Sequence, residues 1–201
     1  MIDTVIFDLG NVLAFHDNAL LFTRMAQVFK TTPEAMKARI DATMWTRVNI
    51  GQLPGDALRQ ELVQRLGVEV SPEEWFTVWN CHFTLNAPQV ELTKQLVGRL
   101  KLVLLSNTHD QHIAFLRPQL PVLQQFNGLV LSYEVGHVKP ARAIYDAALQ
   151  LAGTTAEKAV FFDDVTAFAD AATALGIKGR VYTTAERCRE QLAELGVSLP
   201  G

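Results

Sequence analysis

The residues of this chain best equipped for chemistry stand where apolar runs stop. Asp8 closes "TVIFD", Ser106 and Asn107 close "KLVLLSN", the pair Asp163 and Asp164 closes "KAVFFDD", and Lys139 stands just before Pro140. A carboxylate at the end of a buried run is costly unless it is paired or bound to a metal. Acids converging on one edge therefore call for a cation. Magnesium suits that donor set, because it takes a few carboxylate oxygens, waters and a substrate phosphate in octahedral geometry. The Ser106 hydroxyl and neighbouring backbone N–H groups can hold phosphate oxygens, and Lys139 adds a fixed positive charge. One of the acids can then attack phosphorus, since metal and lysine lower the repulsion between the two anions.

Those residues act together only if their elements deliver them to one place. Each run has the length of a buried strand, is rich in Val, Leu and Phe, and ends in polar residues. Residues 128–132, "GLVLS", and 179–183, "GRVYT", complete a set of parallel strands. Helical patterns alternate with them: "APQVELTKQLVGRL", "HDQHIAFLRPQL", "ARAIYDAALQLAG" after Pro140, "TAFADAATALG" and "AERCREQLAELG". Gly153, Gly176 and Gly196 follow such stretches, as helix-terminating glycines do. Strand alternating with helix predicts a doubly wound α/β sheet, whose ligands bind beyond the carboxyl ends of the strands.

Residues 15–87 break the rhythm and offer only helical periodicity, over 18–30, 33–47, 53–66 and 72–82. Ser71 before Pro72 and Glu74 has the spacing of a capping box. A helical module inserted after the first strand would lie over the site as a lid. The core is then expected from 1–14 and 88–201.

Composition narrows the classes further. The 201 residues are 49% hydrophobic with a net charge of −3, and no window concentrates Lys and Arg, so polyanion or nucleic-acid binding is not expected as the main task. No apolar run reaches the roughly 18 to 20 residues that span a bilayer, and "MIDTVIFD" lacks the features of a signal peptide, which predicts a soluble, cytoplasmic protein without a membrane partner. Cys81 and Cys188 are far apart without CxxC spacing and read as packing residues. Nothing here chooses between a monomer and a homodimer.

Four motifs in order, "FDLGNVL", "LLSN", "VKP" and "FFDD", resemble the haloacid dehalogenase superfamily over essentially the whole chain. The sequence looks closest to its bacterial phosphatases that begin FDLGNV, including the glucose-1-phosphatase type. The resemblance implies a Rossmann-like core with a small α-helical cap, and magnesium-dependent hydrolysis of a small phosphorylated metabolite through an aspartyl-phosphate. It implies Asp8 as nucleophile and metal ligand, the carbonyl of Gly10 as a second ligand, Asp164 as a metal-binding acid supported by Asp163, and Ser106, Asn107 and Lys139 on the phosphate. Many phosphatases of this superfamily carry a second Asp two positions after the nucleophile, where this chain has Gly10. General acid–base help is worth about 10² to 10⁴ in rate, so its lack favours esters with a good leaving group, such as a sugar 1-phosphate. Val165 and Phe168 stand where small polar and acidic residues are usual, and Phe168 could wall the pocket. Metal-free 2-haloacid dehalogenation is a second reading, and a non-catalytic binder of a phosphometabolite or protein partner a third.

For the remaining notable side chains the expectations are plain. His109 and His112 read as residues of a surface helix, His16 as a bystander, and Trp45, Trp75 and Trp79 as the packing of the cap, with Trp45 and Arg47 as possible substrate contacts.

Overall fold

The computed structural model describes residues 1–199. Its centre is a five-stranded parallel sheet of β1 (Thr4–Phe7), β4 (Lys101–Ser106), β5 (Gly128–Leu131), β6 (Ala159–Asp163) and β7 (Lys178–Val181), in the order β5-β4-β1-β6-β7. Strand β1 lies in the middle, flanked by β4 and β6, and its four residues are all buried. Alternate side chains point to opposite faces. Val5 and Phe7 pack with Leu92 and Leu96 of α6 (Ala87–Leu96) and with Cys188 and Leu192 of α11 (Ala185–Glu194). Ile6 joins Ile144, Tyr145 and Ala148 of α9 (Arg142–Ala152) and Ala172 of α10 (Thr166–Ala174) on the other face. The expected doubly wound sheet is present, with helices on both sides and all five carboxyl ends along one edge.

The inserted segment holds helices α1 (Asn18–Val28), α2 (Pro33–Arg39), α3 (Ala42–Asn49), α4 (Gly55–Leu66) and α5 (Pro72–Asn80). Its buried apolar residues, from Leu21 to Trp79, form a cluster of their own. The single helix expected over 33–47 is two. Thr32 caps α2 by accepting from Ala35 N, and Asp41 caps α3 by accepting from Met44 N. Each side-chain cap serves one helix start, so Asp41 imposes a new start inside the apolar pattern. Ser71 caps α5 by accepting from Glu74 N, as its spacing predicted.

An antiparallel ribbon of β2 (Ala14–His16) and β3 (Phe83–Leu85) carries the chain into and out of this segment. No sequence pattern marks it, because three-residue strands leave no periodicity to detect. Asn86 fastens its end to the loop after β1, donating to Val12 O at 2.8 Å while its N–H meets Leu13 O at 3.0 Å.

The helical segment also touches the core directly, at the first turn of α7 (Asp110–Leu116) and at α8 (Ser132–Val135). Trp79 Nε1 donates to His109 Nε2 at 2.9 Å, and Gly55 N donates to Asp110 Oδ1 at 3.1 Å. Gly51, at φ +76, lies against the Tyr133 carbonyl, where any Cβ would collide. Among the described residues no helix is long and apolar enough to cross a membrane.

Candidate active site

The carboxyl end of β1 delivers Asp8, that of β4 delivers Ser106 and Asn107, and that of β6 delivers Asp163 and Asp164. All except Asp163 line one cavity of about 380 Å³, together with Gly10, Lys139, Val165 and Phe168. Carboxylate oxygens of Asp8, Asp163 and Asp164 lie within 4.8 Å of one another. Such a gathering of anions in a mostly buried place requires positive charge.

One protein cation stands among them. Lys139, 3% exposed, sets its Nζ 2.6 Å from Asp163 Oδ2 and 2.9 Å from Asp8 Oδ1. The Phe161 and Phe168 rings flank that ammonium at 5.5 and 5.2 Å, which gives Phe168 the walling role open to it. Asp163 also accepts from Val165 N at 2.8 Å, so its carboxylate is spent within the protein. The Asp8–Lys139 approach is an ion-pair distance that lacks hydrogen-bond alignment, and Asp8 Oδ1 is left a buried oxygen without a hydrogen bond. One lysine shared by two of three clustered acids and an orphaned buried oxygen fit a divalent cation.

The electrostatics agree. Burial raises the Asp8 carboxyl above the usual range against the pull of Lys139. Burial, then the charge of Asp8, pushes Asp163 up to about 6, again with Lys139 opposing.

Lys139 is held there by Asn107. The Asn107 side chain accepts from Lys139 N at 2.7 Å and donates to Lys139 O at 3.1 Å, so its amide is used on the lysine backbone. The Lys139–Pro140 peptide is cis, and α9 begins at Arg142, just after Pro140. Ser106 lines the cavity at the end of β4, and Ser132 staples the next turn by accepting from Thr108 N and donating to Thr108 O.

Several side chains differ from expectation. His109 and His112 are buried at 2% and 8% exposure, not on a surface helix, because the start of α7 lies beneath α5 and both rings stack on Trp79. His112 Nδ1 pairs with Asn80 Oδ1 at 2.8 Å. His16 lines the cavity instead of standing aside. A Cβ on Gly10 would meet its Cδ2 at 3.2 Å, so the imidazole fills the space that a side chain at position 10 would take. Trp75 and Trp79 pack the helical segment as expected, and Trp45 stacks on Trp79 while also lining the cavity. Arg47 pairs with Glu61 at 3.0 Å and is absent from the lining. Asn11 sits at φ +53 and donates from Nδ2 to Asp164 Oδ2 at 2.8 Å. Its tolerance of left-handed backbone was the one available signal.

A five-stranded parallel sheet that gathers carboxylates and a lysine at its carboxyl edge makes this an α/β protein with a candidate catalytic site at the strand ends. The profile of the haloacid dehalogenase-like hydrolases matches residues 2–176, and the chain belongs to that family. The D-ribitol-5-phosphate phosphatase of Bacteroides thetaiotaomicron is 26% identical over 176 residues, spanning 82% of this chain and 84% of that protein. A haloacid dehalogenase family enzyme from the same organism has the same fold, with a TM-score of 0.86 at 23% identity over 95% of this chain and 98% of that one. Its crystal structure in complex with magnesium and inorganic phosphate gives 0.81 at 24% identity, covering 92% and 96%.

Proposed function

We propose that this hydrolase is a magnesium-dependent phosphatase of small phosphate monoesters, sugar phosphates foremost, acting through an aspartyl-phosphate on Asp8. The observation that carries the reading is the cluster of Asp8, Asp163 and Asp164 at the strand ends with Lys139 among them. The relative named for D-ribitol 5-phosphate and the neighbour solved with magnesium and phosphate support it. In this reading Asp8, the Gly10 carbonyl and Asp164 hold the cation, and Asp163 supports the set by engaging Lys139. Bound magnesium would draw charge from the phosphate oxygens and so ease the approach of a second anion.

Asp8 attacks phosphorus, forming a new O–P bond as the bond to the leaving oxygen breaks. Ser106 and Lys139 hold non-bridging oxygens, and Asn107 acts on the phosphate through the lysine it positions. Water then attacks the aspartyl-phosphate, releasing phosphate and restoring the carboxylate. Gly10 brings no proton to the leaving oxygen, which favours hemiacetal phosphates that need less protonation. Residues 15–87 act as the cap, and its Trp45 and Asn49 face the substrate's remainder. Metal-free dehalogenation by the same aspartate ranks second, because with no cation bound the two further carboxylates beside Asp8 oppose an incoming haloacid anion.

Replacing Asp8 with Asn tests the central claim. Turnover of a generic aryl phosphate should vanish while the circular dichroism spectrum is unchanged, and EDTA should inhibit the wild type. Full activity of Asp8→Asn, or halide release from a 2-haloacid without magnesium, would overturn the assignment. Tight phosphoester binding without turnover across a broad panel would favour the non-catalytic reading.

A further inference from the structure

The acids of the site differ in how the protein holds them. Asp8 and Asp163 share Lys139. Among the described residues the only side chain that hydrogen-bonds Asp164 is neutral, the amide of Asn11, reaching across 153 positions of sequence. The orientation of that amide is determined by its neighbours. His16 N can only donate and approaches Oδ1 at 3.3 Å, so Nδ2 faces Asp164 at 2.8 Å and His16 Nε2 at 3.3 Å. To make these contacts Asn11 adopts φ +53, a backbone region where few residues other than glycine settle.

We infer that Asn11 is a positioning residue for the cation, fixing the direction of the Asp164 carboxylate without neutralising it. A lysine or arginine in its place would hold the carboxylate equally well but cancel the charge that a metal needs. An amide donor occupies one oxygen and leaves the other, with the full anionic charge, free for the cation. The other end of the amide takes the N–H of His16, the last residue of β2, so the cation's acid and the entry to the helical segment share one side chain. The inference rests on the magnesium reading of this site.

The test is calorimetric titration of the metal-free protein with Mg²⁺, together with its thermal midpoint. Asn11→Gly accepts the left-handed backbone freely, so the metal-free midpoint should stay near that of the wild type. Its dissociation constant for Mg²⁺ should rise about 10- to 100-fold, the usual effect of removing a hydrogen-bond partner from a metal-ligating group. His16→Ala removes the ring but keeps both the amide–Asp164 bond and the backbone N–H, and its Mg²⁺ affinity should stay within about threefold of wild type, since it leaves that partner in place. Wild-type affinity in Asn11→Gly would overturn the inference and leave the functional reading standing. Equal weakening in both variants would also overturn it, by tracing the effect to the ribbon and not to Asp164. A wild-type protein that takes up no Mg²⁺ would overturn both.

Discussion

Lys139 is the residue on which the metal-free site depends. Among the described residues it is the single protein cation set between Asp8 and Asp163, and taking it away leaves two carboxylates facing each other in a buried place. Breaking a buried pair from one side typically costs about 3 to 5 kcal/mol. Lys139→Met should therefore lower the urea midpoint of the EDTA-treated protein strongly at pH 8. The sign of the pH dependence follows from Asp163, whose folded-state pKa of about 6 lies above its ordinary 3.8. The folded state binds that proton more readily than the unfolded one, so the contribution of this group to stability rises as pH falls through 6, opposite in sign to that of the buried histidines. Without the lysine the same effect is larger, and the deficit of Lys139→Met should shrink at pH 5. A deficit that stayed constant from pH 8 to pH 5 would contradict the ion-pair account.

At the scale of elements, the helical segment seats on the sheet edge so that its Trp45 and Asn49 line the cavity with the strand-end residues. Two neighbouring residues at the start of α7 carry much of that seating, His109 receiving Trp79 and Asp110 receiving the N–H of Gly55. Trp79→Phe keeps an aromatic ring against His109 but removes the indole N–H. A net hydrogen bond of about 1 kcal/mol corresponds to a fall of roughly 2 to 4 °C in thermal midpoint for a chain of this size. An unchanged midpoint would mean that the stacking alone seats α5. The helices themselves were legible in the sequence wherever their apolar period was long, as in α9 and α11. The break at Ile40 and the β2–β3 ribbon were not, because both arise from local capping and pairing that leave no periodic trace. His109 and His112 were misread for a related reason: their spacing carries no information about α5, which buries them from a distant part of the chain.

On the scale of the whole molecule, the acids were legible because each ends a run of apolar residues, and a parallel sheet has one carboxyl edge. The partners that tune them were not, since Asn11 meets Asp164, and Asn107 meets Lys139, only through the fold. The same burial makes the protein sensitive to acid. Burial holds His82 down to about 4 and lowers His109 and His112 as well, although Asp110 opposes the effect at His109 and Asp17 at His82. Their stabilising contribution is whole above the ordinary histidine value near 6.5 and is lost as pH falls below it, because the unfolded chain then binds protons that the folded one refuses. Each such histidine adds a slope of at most about 1.4 kcal/mol per pH unit. His112→Gln should gain stability relative to wild type as pH falls from 6.5 to 5, and parallel curves would refute the assignment.

The ribbon also bears on how such a chain could be re-engineered. Ala14 and Leu85 are directly paired, so the chain leaves for its five-helix excursion and returns at nearly the same point. A loop whose ends already meet adds little closure entropy to its host, and that cost grows only slowly with length. The excursion is in effect a cartridge with a single socket. Exchanging it at the ribbon for one of another length would leave the strand order and register of the sheet untouched, and would leave the contacts at His109, Asp110 and Tyr133 as the surface to be rebuilt.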